Sequence, residues 1–224
     1  MTKPPFLIAI DGPSASGKGS LSRVLAERFG FGYLDTGKLY RFAAKHIIDQ
    51  RVDVDDVDTV TKAIGDIDFK SLSLDAFLHT VEVSKYASKI ATYESVRELL
   101  NVLQYRFPND HRGAVIDGRD IGTVIFPDAN LKFFITASTE ARAQRRYKQL
   151  QNEQNSVEYG AVLKDLIERD NRDSGREASP MKIAKDAIIV DTTLLDAQST
   201  LDLVYTLSYK YVDQYFNSQS ISGS

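Results

Sequence analysis

Five apolar residues, Phe6 to Ile10, run into Asp11, then into Gly12-Pro13-Ser14-Ala15-Ser16-Gly17-Lys18-Gly19-Ser20. Beyond them, Leu21, Val24, Leu25 and Phe29 recur at helical spacing, and Gly30 is a natural helix stop. A short buried strand, a Gly-flanked turn and an amphipathic helix therefore follow one another within the first 30 residues. This order constrains the chain more than any other feature. Glycines let the backbone curl until successive N–H groups point inward, and the helix start adds partial positive charge. Lys18 adds a mobile full charge. Gly12 to Lys18 fits G-x4-G-K, the pattern of a phosphate-binding loop. Gly19 stands where that pattern has Ser or Thr, and the hydroxyl comes at Ser20. A Gly-rich turn without a ligand is the competing reading, and the flanking strand and helix disfavour it.

The rest of the chain repeats the alternation. Strands are expected at Gly32–Asp35, Ala114–Asp117, Leu131–Ile135 and Ala187–Val190. Helices are expected at Thr36–Asp49, Val54–Ile64, Glu82–Ala91, Glu94–Phe107, Thr139–Gln151, Val157–Asp173 and Ala197–Tyr215. Short strands of uncertain place fall before Thr80, and the polar tail 217–224 reads as disordered. Buried strands alternating with helices give an α/β fold, an open parallel five-stranded sheet with helices on both faces. At 224 residues this is one domain, large enough to fold without a disulfide or metal staple. No cysteine is present, so disulfides, thiolate nucleophiles and Cys zinc sites are excluded. No apolar run approaches the roughly 18–20 residues that span a bilayer, so a soluble cytoplasmic protein is expected, with no membrane partner.

Two further segments carry chemistry. Asp117 ends a hydrophobic strand, the position from which a carboxylate orients Mg2+ or its waters in phosphate-loop proteins; an ordinary strand-end aspartate is the plainer alternative. It opens Asp117-Gly118-Arg119-Asp120-Ile121-Gly122-Thr123, two carboxylates and an arginine on a tight turn. In open α/β sheets such turns face the ligand crevice. Arg119 can grip a phosphate with its two-pronged guanidinium, and a carboxylate can accept from an exocyclic amine such as cytosine N4. A charged turn with an internal ion pair is the alternative.

Six of the fourteen arginines lie in 142–176: Arg142, Arg145, Arg146, Arg169, Arg172 and Arg176. The chain's net charge is −3, which argues against a surface that coats polymeric nucleic acid, yet this segment is locally basic. Arginines beside a phosphate loop suit phosphoryl transfer, which works by positioning and charge neutralisation. No catalytic loop of the His-Arg-Asp type and no Asn-Lys-x-Asp motif occurs. An arginine-rich site without an evident base fits an acceptor that is already a phosphate anion.

Together, GPSASGKGS, Leu34-Asp35-Thr36-Gly37 with Tyr40-Arg41, Ala87-Ser88, Val96-Arg97, DGRDIGTVIFPDA (117–129), and Glu168-Arg169-Asp170 with Arg172-Asp173 and Arg176 resemble the bacterial cytidylate kinases, within the nucleoside monophosphate kinase group. The likeness runs from about residue 6 to 215, and Gly after the loop lysine is usual in that group. The resemblance implies transfer of phosphate from ATP to CMP or dCMP with Mg2+, in a monomer. It implies that Gly12, Pro13, Ser14, Ala15, Ser16, Gly17, Lys18, Gly19 and Ser20 hold ATP, with Ser20 toward Mg2+ directly or through water. Thr36, Tyr40, Arg41 and Arg119 surround the acceptor phosphate, close to Asp117. Ser88, Arg97 and Asp120 read the cytosine, and Arg169, Asp173 and Arg176 lie near ribose, base or the transferring phosphate. Lys18, Arg119, Arg145 and Arg169 form the catalytic set, with Arg145 toward ATP. The implied parts are a core (about 6–50, 108–140 and 177–216), a nucleoside monophosphate-binding insert (about 51–107) and a lid (about 145–176). The extra sheet of longer members has room here for only a reduced version, between Asp66 and Val83. Another small-acceptor kinase of the phosphate-loop type, including one for UMP, and a nucleotide-sensing module without turnover are the alternative functions.

Overall fold

In the computed structural model, residues 3–69, 80–152 and 157–217 are described. Strand β1 (Phe6–Asp11) lies at the centre of a five-stranded sheet of order β2-β3-β1-β4-β5. The others are β2 (Gly32–Asp35), β3 (Gly113–Gly118), β4 (Leu131–Thr136) and β5 (Ile188–Asp191), and every pairing is parallel. Parallel neighbours cannot be joined by hairpins, so each connection crosses the sheet through helices. Because the strands run the same way, their ends gather on one edge: Ile10 pairs with Asp117, and Asp35 with Asp117. Three aspartates, Asp11, Asp35 and Asp117, thus close three adjacent strands.

The pleat sorts β1 by alternation. Phe6, Ile8 and Ile10 join Val115, Phe133 and Ile135 under α1 (Lys18–Phe29) and α8 (Ala197–Asn217), through Leu25, Leu201 and Val204. Ala9, Ala114 and Ile116 face the other side, where Ile121, Ile125 and Phe107 cover them. Two further cores stand off the sheet. One joins α2 (Thr36–Asp49), α3 (Val57–Gly65), α4 (Val81–Ile90) and α5 (Glu94–Arg106) through Ile47, Ile64, Ile90 and Leu100. The other joins α6 (Thr139–Asn152) to α7 (Tyr159–Gly175) through Ala143, Leu150, Val162 and Leu166, with Ala15 of the glycine loop against it.

The first two helices occupy the expected residues, and side-chain caps set the starts of the next. The helix expected from Val54 begins at Val57, where Asp56 accepts the N–H of Thr59 at 3.1 Å. Thr80 caps α4 in the same way. The short strands expected before Thr80 fall largely on 70–79, and the tail on 218–224, both outside the described residues. One element is unforeseen. Ile121–Ile125, which holds three β-branched apolar residues in five, forms a π turn in which Phe126 N–H reaches Ile121 O at 2.7 Å. Its first N–H groups are held by Asp11 of β1, and Ile121 and Ile125 are buried on the sheet. Tertiary contact overrides the strand preference of these residues. Among the described residues no helix is long and apolar enough to cross a membrane.

Candidate active site

The glycine loop is shaped by two backbone demands. Gly12 has φ +149°, and a Cβ there would lie 2.0 Å from the carbonyl oxygen of Ile135, so only glycine lets β1 turn this close to β4. Gly17 has φ +89° at the start of α1 and Ala15 has φ +59° between them. The curl leaves the N-terminus of α1 without a side-chain cap and open to an anion. Lys18 lies back on the loop, donating to Pro13 O at 3.1 Å. Two arginines of α6 brace the loop from behind: Arg142 donates to Ser14 O at 3.2 Å, and Arg145 reaches Ser16 O at 3.5 Å.

The turn after β3 supplies the opposite wall. Asp117 accepts from Tyr33 Oη at 2.8 Å, and its carbonyl accepts from Thr36 Oγ1 at 2.8 Å. Arg119 donates through Nε to Asp173 Oδ2 at 2.8 Å, joining β3 to α7. Asp120 is gripped from two sides, by Arg97 of α5 and by Arg176 at 3.2 Å. Arg172 donates to Ser88 Oγ at 3.2 Å, and Arg41 pairs with Asp35 at 3.2 Å. Residues from four separate stretches of sequence thus meet.

Between the walls lies a cavity of about 470 Å3. Its lining includes Ser14, Ala15, Gly17, Lys18, Gly19, Ser20, Thr36, Tyr40, Arg41, Ser88, Arg97, Asp117, Arg119, Asp120, Arg169, Asp173 and Arg176, all singled out in the sequence. Four of the expected residues do not line it. Gly12, Pro13 and Ser16 are buried behind the loop. Arg145 turns to Thr192, donating to its Oγ1 at 2.9 Å, while Arg146 takes the place on the cavity wall. On a helix, neighbours point about 100° apart, and spacing alone did not say which of the two faces inward. Asp35 and Tyr33 are further members of the site that were not assigned: Tyr33 meets Asp117 across 84 positions and leaves no local signature, whereas Asp35 caps α2 by accepting the Lys38 N–H and pairs with Arg41, a signal local to 35–41.

The electrostatics are those of an anion site. Seven arginines and two lysines line the cavity against five aspartates, in a chain of net −3. Burial, and then the charge of Arg119, depress Lys18 from 10.5 to about 7. Burial and the Arg119 charge likewise lower Arg169 to about 10. Burial, then neighbouring Asp35, raise Asp117 from 3.8 to about 7. For Asp173 burial works the other way, yet Arg119 and Arg169 hold its carboxyl below 3.8. Tyr40 Oη, Arg41 Nε and Arg169 Nε are buried in the wall with no hydrogen-bond partner. Unmet buried donors are costly, and these three belong to residues that line one cavity, with Arg169 Nε also 3.8 Å from Asp173 Oδ2.

Comparison with known proteins agrees with this geometry. The family model described as Cytidylate kinase matches residues 8–209. The chain belongs to the cytidylate kinase family. A cytidylate kinase of Methylocella silvestris is 46% identical over 198 residues, covering 87% of this chain and 89% of that protein. One from Sinorhizobium medicae is 42% identical, covering 90% and 95%. Among solved structures, one from Thermus thermophilus aligns with a TM-score of 0.50 at 17% identity, over 93% of this chain and 98% of that one. That likeness concerns the fold alone.

Proposed function

We propose that the chain transfers the γ-phosphoryl group of ATP to CMP and dCMP, giving ADP with CDP or dCDP. The observation that carries this reading is a cavity that meets the loop of Lys18 and is lined by seven arginines, with Tyr40 Oη, Arg41 Nε and Arg169 Nε buried without a hydrogen-bond partner in its wall residues. Family membership supports the choice of nucleotides.

The residues divide the work. Gly12 to Ser20 hold the ATP phosphates with backbone N–H groups, and Lys18 moves from Pro13 O to the phosphate it neutralises. Thr36, Tyr40, Arg41 and Arg119 take the acceptor phosphate. Transfer is direct and in line, between two phosphate oxygens. Charge spreads over the migrating group in a loose transition state, so cations aimed at it supply the catalysis. Lys18, Arg119 and Arg169 serve there, and Arg145 supports them by fixing the loop at Ser16. Ser88, Arg97 and Asp120 read the base, with Arg176 behind Asp120; Asp173 orients Arg119 near the ribose. Ser20, with Asp117 in the same wall, fits Mg2+, which neutralises phosphate charge when bound. The α3–α5 helices form the acceptor-nucleotide insert, and α6–α7 a lid that excludes water. Acting on free nucleotides, the enzyme works as a cytoplasmic monomer and has no polymeric nucleic acid partner.

A coupled assay of ADP release with CMP, dCMP, UMP, AMP and shikimate tests the reading. CMP and dCMP should give the highest kcat/KM. Equal rates with UMP or AMP would remove the substrate assignment.

A further inference from the structure

Asp11 has no part in the mechanism above and does not line the cavity, yet its carboxylate is 4% exposed at the very end of the central strand. Each oxygen accepts one backbone N–H of the π turn: Oδ1 from Ile121 at 2.8 Å and Oδ2 from Gly122 at 2.8 Å. The turn is pressed onto this carboxylate, since a Cβ at Gly122 would sit 3.4 Å from Asp11 Oδ2 and 3.1 Å from Lys132 Cδ. Asp120 heads the turn but makes no cap bond to it. An aspartate at a helix start ordinarily closes on the N–H two or three residues ahead. Here Gly122 N–H, two residues ahead, is already held by Asp11. Asp120 is left to face Arg97 and Arg176 in the cavity wall.

We propose that Asp11 is a positioning residue for the acceptor site: it caps the π turn in place of Asp120 and so keeps the Asp120 carboxylate turned toward the acceptor base. A residue of the strand that leads into the ATP loop then sets the geometry of the CMP end. The inference rests on the cytidylate kinase reading for what Asp120 meets, but not for the cap itself.

Asp11→Asn keeps the shape of the side chain, retains one acceptor and turns an amide toward the other N–H. Steady-state kinetics of the full chain should show KM for CMP raised about tenfold, the factor that loss of about one hydrogen bond corresponds to. KM for ATP should stay within about twofold, and preference for CMP over UMP should fall. On an Asp120→Asn background, Asp11→Asn should add little, because its route to the base is already gone. An equal rise in both KM values, or the same factor in both backgrounds, would overturn the proposal. If Asp11→Asn does not fold, Gly122→Ala, which lifts the turn from the carboxylate, should give the same split; an unchanged KM for CMP would overturn it equally. A ligand-free arm separates this proposal from the function. In NMR of unliganded protein, the Asp120 side-chain carboxyl carbon should shift in Asp11→Asn as it swings to its own turn. A fixed resonance counts against the cap even if CMP is phosphorylated, and a shifted one supports it even if CMP is not.

Discussion

On the proposed assignment of a phosphate end and a base end, the two ends of the cavity solve opposite problems. At the phosphate end, the donors wait: the α1 N-terminus is uncapped, Lys18 rests on a carbonyl, and Arg41 Nε and Arg169 Nε have no hydrogen-bond partner. At the base end the charged groups are paired: Asp120 meets Arg97 and Arg176, Arg172 meets Ser88, and Arg176 also meets Ala91 O. An anion that arrives with its own charge can be met by unsatisfied cations. A neutral base cannot, and a buried carboxylate that is to read it must be held charged and oriented beforehand. Damage to the phosphate end should therefore fall on turnover, and damage to the base end on stability and substrate affinity.

The largest effect is expected at the phosphate end. Lys18→Ala and Arg119→Ala should each reduce kcat by about 10²–10³-fold, as loss of one preorganised cation or donor does, with Lys18→Ala melting near the wild type. Near-normal turnover in both would erase the contrast. At the base end, Asp120→Ala leaves two buried arginines without their carboxylate and should cost about 3–5 kcal/mol in denaturant unfolding. Loss of less than about 1 kcal/mol would mean that the pair is not buried in solution. Tyr33→Phe removes the hydroxyl that donates to Asp117 and is shared with Gly19 O at the phosphate end, and should lower stability by only about 1–2 kcal/mol, leaving the CMP/UMP preference unchanged; a changed preference would show that the two ends are not separable.

The smallest expected effect is a fraction of a proton. Lys18 is depressed to about 7, so between that value and 10.5 it is neutral in the folded, ligand-free protein and charged in the unfolded chain. The unfolded chain then binds more protons, and from this group stability rises with pH across that window. A bound polyphosphate restores the charge, so ATP binding at pH 8 should take up protons. Calorimetry in two buffers of different ionisation enthalpy reads this directly, and a binding heat that does not depend on the buffer would argue against a depressed Lys18.

How much of this was legible depends on how local the cause is. The phosphate loop was readable because each requirement is met within nine residues: positive φ at Gly12 and Gly17, a lysine, and a helix that starts at once. The strands and most helix starts were readable for the same reason, through alternation and short-range caps. The partners were not. Asp11 meets Ile121 across 110 positions, Arg119 meets Asp173 across 54, and Arg97 meets Asp120 across 23. Nothing in the neighbouring residues encodes such a pairing. The choice between Arg145 and Arg146 for the cavity was likewise out of reach, since it turns on how α6 is rotated against Thr192 and Leu195 in the connection between β5 and α8.

The sequence alone therefore determined the layered α/β fold, the place of the phosphate loop and the family, because periodicity, glycine geometry and motif spacing are properties of short stretches. The tertiary structure decided which charges meet which. It turned a strand-like Ile121–Ile125 into a π turn, put Asp120 between two arginines, and left Arg41 and Arg169 with open donors. Electrostatics in a buried site depends on distance in space and on exclusion of water, and both are set only when the sheet edge, the helical insert and the α6–α7 pair have closed around one cavity.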